Sequence, residues 1–132
     1  MTYSNLGWLS VIIIGILVAS YVLKFLNKKV FKSKSATYRK ILMFFRKIHK
    51  PLGIALLIVP LIHGYMALGT LFRLHTGTLL YISLLLTATM GGSFYKFKKK
   101  EFFVWHKRMA LLTVILFLIH FFFPSAIYYL LN

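Results

Sequence analysis

Four apolar runs, separated by basic or short polar stretches, set the pattern of the chain. They fall at about residues 6–26, 48–71, 76–92 and 102–123. A helix of about 20 apolar residues crosses hydrocarbon about 30 Å thick, and each run is long enough to do so. The pattern predicts an all-α membrane protein, a four-transmembrane-helix bundle that makes one domain of residues 1–132, with loops at 27–47 and 93–101. Tyr3 and Trp8 open the first run, where amphipathic rings favour the headgroup region. No basic stretch precedes this run and no small-x-small site follows it, so it reads as a retained span rather than a signal peptide. Pro124 ends the fourth run, and a short apolar tail with Tyr128 and Tyr129 follows.

The second run contains Pro51 and Pro60, and its start has two readings. Pro51 can mark the first helical turn, which leaves His49 just outside the helix. Alternatively the helix begins around Arg39 and only bends at Pro51, which turns His49 inward. On this second reading Ile41 to Phe45 is the early part of the span; on the first it is an interfacial turn.

Charge gives the topology. The 132 residues carry a net charge of +16, with 60% hydrophobic residues and a mean hydropathy of +0.81. In a soluble protein such a charge would point to nucleic acid. Here sixteen of the seventeen Lys and Arg lie in residues 24–50 and 96–108, which four spans place on the same side of the membrane. Arg73 stands alone on the other side. The positive-inside rule puts both basic stretches in the cytoplasm and both termini outside, in the cell membrane, with lipid and not nucleic acid as the surrounding partner. There is no cysteine, and Glu101 is the only acidic residue. That excludes disulfides, thiolate clusters and thioether-attached haem, and argues against paired-acid catalysis and Ca²⁺ or Mg²⁺ cages.

Histidine is the remaining intramembrane chemistry. His49 and His63 are 14 residues apart, and so are His106 and His120. Each pair opens on His-Lys and closes on Leu-Ile-His. On a helix, 14 steps turn about 1400°, roughly 40° short of four full turns, and rise about 21 Å. The two histidines of a pair therefore share a face and stand most of a bilayer apart. Spans two and four run in the same direction, so His49 and His106 meet at the inner level and His63 and His120 at the outer one. Two facing neutral imidazoles are the axial set of a b-type haem. The pattern predicts two haems, with His49 and His106 on the inner iron and His63 and His120 on the outer.

The neighbours of these histidines suit that chemistry. Gly53 and Ala110 lie one turn from His49 and His106 and leave room for a macrocycle. Leu56 with Pro60, and Thr113 with Phe117, fall between the two levels. Lys50, Lys107 and Arg108 can offset the propionates of the inner haem, and Arg73 those of the outer. A lone histidine in a span ordinarily satisfies a carbonyl or a neighbouring helix; two equally spaced, level-matched pairs favour ligation. His75 lies outside the repeat and reads first as an interfacial histidine, second as a substitute ligand or a group at the outer mouth. Met66 and Met109 read as core filler.

His49-Lys50-x-x-Gly53 ending in His63-Gly64-Tyr65 resembles the ferric-reductase-like transmembrane domain, found in membrane ferric reductases and in the haem core of NADPH oxidases. The spacing of 14 on both helices is also similar to the cytochrome b subunit of quinol-oxidising bc complexes. The resemblance covers about residues 39 to 123 and implies that His49, His63, His106 and His120 ligate haem. Members commonly have six spans, and the reductases append flavin and nicotinamide domains. This chain shows four spans and no glycine-rich phosphate loop, so its electron donor is expected to be another protein or a membrane quinol.

The expected function is electron transfer across the membrane to ferric iron, a flavin on a partner, or oxygen, as an electron-transfer subunit of an oxidoreductase. A second reading is the haem-bearing anchor of a quinone-reactive dehydrogenase or reductase complex. There a quinone would use His75 with Arg73, or Thr87, Thr89 and Ser93. A third is a non-redox membrane protein, whose purified form would be colourless.

Overall fold

The computed structural model describes residues 2–32, 34–70, 74–124 and 126–131, with the backbone alone at Tyr3 and at 126–128. Among these residues five α-helices follow one another: α1 Tyr3–Leu26, α2 Ala36–Leu68, α3 Thr76–Phe97, α4 Lys100–Phe122 and the short α5 Ala126–Leu131. No strand occurs among the described residues. The first four helices are long and apolar enough to cross a membrane. The chain divides into two units, one up to His63 and one from Gly64 onward.

In the first unit, the Thr2 side chain caps α1 by accepting from the Asn5 N–H at 3.3 Å. Past Leu26 the helix loosens into a π-helical turn, Asn27–Phe31, and stops at Lys32 in the left-handed region (φ 47°). Lys28 and Lys29 in that turn complement the partial negative charge of a helix C-terminus. Ser35 then starts α2, its hydroxyl accepting from the Tyr38 N–H at 3.2 Å. α2 runs for 33 residues through both Pro51 and Pro60, about 50 Å in length. The helix therefore begins well before the stretch expected to span, 48–71. Ile41 to Phe45 belongs to its first turns, and His49 lies inside it. Such a helix outreaches a hydrocarbon core of about 30 Å, so its basic N-terminal turns extend beyond the apolar slab. Gly69, at φ 71°, closes it with its N–H bonded to the Tyr65 carbonyl at 2.9 Å.

The second unit is built on an antiparallel hairpin of α3 and α4. The expected loop 93–101 shrinks to two residues, Lys98 and Lys99. Lys98 takes φ 58° and its N–H bonds the Phe94 carbonyl, an αL stop made without glycine. The paired glycines Gly91 and Gly92 leave α3 unbroken. Phe94 with Phe103, ring centroids 5.2 Å apart, and Phe97 with Phe102, 5.8 Å apart, close this end. At the far end Phe123 leaves the helical region (φ −133°, ψ 66°), as a residue before proline tends to do, and α4 ends at Phe122.

Burial follows the logic of a chain whose solvent is lipid. Large apolar side chains such as Leu111, Phe122 and Ile54 are exposed. Among the described residues nine are buried, and five of these carry a hydroxyl: Ser10, Thr76, Ser83, Thr87 and Thr113. Between membrane helices small and hydroxyl-bearing residues pack well, because apolar bulk gains nothing over lipid.

Candidate functional site

On α4, His106, Thr113 and His120 recur every seven residues and so form one stripe. On α3, Gly77, Leu84 and Gly91 do the same. The antiparallel hairpin sets the stripes face to face in reversed order. His106 seats on Gly91: a Cβ there would lie 2.9 Å from Nδ1 and 3.0 Å from Cε1. His120 seats on Gly77, where a Cβ would lie 3.1 Å from Cε1. The two glycines are 14 residues apart, as are the two histidines, so the match of spacings holds both contacts at once.

The hydrogen bonds define which ring nitrogen carries the proton. His106 Nδ1 lies 2.8 Å from the Thr87 carbonyl, which can only accept, so Nδ1 is the protonated nitrogen. His120 Nδ1 lies 2.9 Å from Thr76 Oγ1. Thr76 has one hydroxyl hydrogen, and the Pro124 carbonyl takes it at 2.7 Å. Thr76 Oγ1 therefore accepts from His120, whose Nδ1 is protonated as well. In the neutral ring the lone pair then resides on Nε2 in both histidines. A histidine that ligates a metal through one nitrogen characteristically donates from the other to a carbonyl or a similar acceptor. The bond from His106 to Thr87 satisfies a carbonyl on a neighbouring helix through Nδ1.

Midway between the histidines, Thr113 meets Ser83 at 2.7 Å and Thr87 at 3.0 Å. Thr113 also donates to the Met109 carbonyl at 2.8 Å, and Thr87 to the Ser83 carbonyl at 2.8 Å. These hydroxyls are engaged with one another inside the hairpin. Thr89, by contrast, is exposed and bonds the Leu85 carbonyl of its own helix.

His75 caps α3. Its Nδ1 accepts from the Gly77 N–H at 3.3 Å. Its ring stands edge-on to that of His120, centroids 5.8 Å apart.

In the first unit the α2 stripe reads His49, Leu56, His63, with the same step of seven. Leu56 is buried at 3% exposure. His63 is half-buried and seats on Gly7 of α1, where a Cβ would lie 3.0 Å from Cε1. His49 is exposed, and Gly53 one turn away has nothing within 4 Å of a Cβ. Three of the four repeat histidines thus rest on a glycine of a neighbouring helix. Ala110 is half-buried and Lys50 exposed. Lys107 and Arg108 lie over the Phe103 and Trp105 rings of their own helix, at 4.8 and 5.2 Å. Met66 is exposed, and Arg73 lies outside the described residues.

Gly7, Thr76, Gly77, Ser83 and Gly91 do not figure in the histidine repeat. The spacing of Gly77 and Gly91 was a usable signal, since it equals that of the ligand pairs. Thr76 carried no such signal, because its role depends on where Pro124 and His120 come to lie.

Single imidazoles held by a hydrogen bond at Nδ1 are compatible with axial haem ligation. Among the described residues no three His, Cys, Asp or Glu side chains gather into a metal-binding group, as a zinc site would need. No family model matches the chain, and neither curated proteins nor solved structures give a match.

Proposed function

We propose that the chain is a di-haem b-type membrane cytochrome that moves electrons across the cell membrane to an extracytoplasmic acceptor. His49 and His106 would hold the inner haem and His63 and His120 the outer. The observation that carries this reading is the repeated pair of histidines at a spacing of 14. On α4 both rings of the pair are oriented as Nδ1 donors, with the lone pair on Nε2. Haem supplies a one-electron couple at its iron. The chain's own residues supply the rest. Thr87 and Thr76 fix ring orientation and tautomer, and Gly91 and Gly77 admit the rings close to α3. Lys50, Lys107 and Arg108 follow the inner ligands in sequence and would offset the propionates of the inner haem, and Arg73 those of the outer. The distribution of positive charge supports an orientation with both termini outside and the basic stretches in the cytoplasm.

The test is spectroscopic. Purified protein reduced with dithionite should show bis-imidazole haem bands and two haems per chain. His49→Ala and His106→Ala should each remove the same haem, and His63→Ala and His120→Ala the other. Colourless protein expressed with sufficient haem would refute the reading. Four unrelated patterns of loss would refute the pairing.

A further inference from the structure

We propose that Thr76 is a positioning residue for His120, and that it makes the two haem sites chemically unequal; this rests on the di-haem reading above. Thr76 is the first residue of α3 and is 4% exposed. Three groups surround its hydroxyl: Pro124 carbonyl at 2.7 Å, His120 Nδ1 at 2.9 Å and His75 Nδ1 at 3.4 Å. His75 Nδ1 already accepts from the Gly77 N–H, so it offers no hydrogen to Thr76. The Pro124 carbonyl offers none either. With one hydrogen to give and two acceptors beside it, Thr76 Oγ1 can only accept from His120. Donation to Pro124 polarises the hydroxyl and strengthens it as an acceptor.

The partner of His106 is different in kind. It is the Thr87 main-chain carbonyl, which no side-chain replacement can delete. At His120 the same task falls to a side chain that can be changed. A donated Nδ1–H raises electron density on Nε2 and favours the ferric state of a bound iron. Removing the acceptor should therefore raise the reduction potential of the haem that His120 holds, and of that haem alone.

Thr76→Val keeps the shape and deletes the hydroxyl, whereas Thr76→Ser keeps the hydroxyl. In Thr76→Val we expect two haems per chain, one native potential and one raised. One hydrogen bond corresponds to up to about tenfold in the reduction equilibrium, about 59 mV for one electron. Thr76→Ser should restore both native potentials. Two bound haems with unaltered potentials in Thr76→Val would overturn the role of Thr76 while leaving the di-haem reading intact. A second readout needs no haem. ¹⁵N NMR of histidine-labelled apoprotein should show His120 protonated at Nδ1 in the wild type. It should show a mixture of tautomers in Thr76→Val. Wild-type His120 protonated at Nε2 would sink the proposal whatever the haem content, and this measurement stands even if the valine variant fails to fold.

Discussion

Alanine at Gly91 should loosen the α3–α4 hairpin, while the same change one residue later, at Gly92, should tighten α3. The new Cβ at 91 would sit 2.9 Å from His106 Nδ1 and 3.0 Å from Cε1, inside van der Waals contact. The ring cannot simply turn away, because Nδ1 is tied to the Thr87 carbonyl at 2.8 Å. Either that bond breaks or the two helix backbones part. Overpacking costs about 1–3 kcal/mol, and losing the bond adds about 0.5–1.5 kcal/mol. Replacing a mid-helix glycine returns about 0.5–1 kcal/mol. The net expectation is a loss of about 0.5–4 kcal/mol. At Gly92 nothing lies within 4 Å of a Cβ, so only the propensity gain applies. At Gly77 the nearest ring atom is 3.1 Å away, and an intermediate loss is expected. Reversible unfolding of the purified chain in mixed SDS micelles, followed by circular dichroism, ranks the three variants. Equal midpoints for Gly91→Ala and Gly92→Ala would refute the seating of His106 on Gly91.

A double-mutant cycle of Ser83→Ala and Thr113→Ala in the same assay should show a coupling of about 0.6 kcal/mol, with about 1.7 as a ceiling. Additive losses would mean that the 2.7 Å hydroxyl contact contributes nothing. Lys98→Gly should stabilise the hairpin by about 0.5–1 kcal/mol. Relief of a left-handed lysine is worth about 1–2 kcal/mol, against about 0.5–1 for the lost stacking of Lys98 on Tyr95. A destabilised Lys98→Gly would show that the αL stop at φ 58° is not formed. His75→Ala should cost about 1 kcal/mol through loss of the α3 cap, and His75→Asn should recover most of it. Both variants should keep two haems; loss of a haem in either would overturn His120 as the outer ligand.

Much of the helical architecture was legible along the chain, because a membrane span is a one-dimensional signal. Its length and apolarity are set by bilayer thickness, whatever the helix touches. The common face of His106 and His120 was legible too, since 14 residues return nearly to the starting azimuth. Helix ends were less so. Gly91 and Gly92 resemble a stop, yet α3 passes through them to Phe97. Gly91 is used there for the space it leaves to His106, a requirement set by another helix. Pro51 resembles a start, yet α2 begins at Ala36 behind the Ser35 cap. The tautomers of His106 and His120 depend wholly on tertiary placement. They follow from a carbonyl 19 residues away and from a hydroxyl 44 residues away that Pro124 has already claimed. Spacing on one helix decides which side chains share a face. Only the packing of two helices decides what that face meets, and so which nitrogen of each ring retains its lone pair.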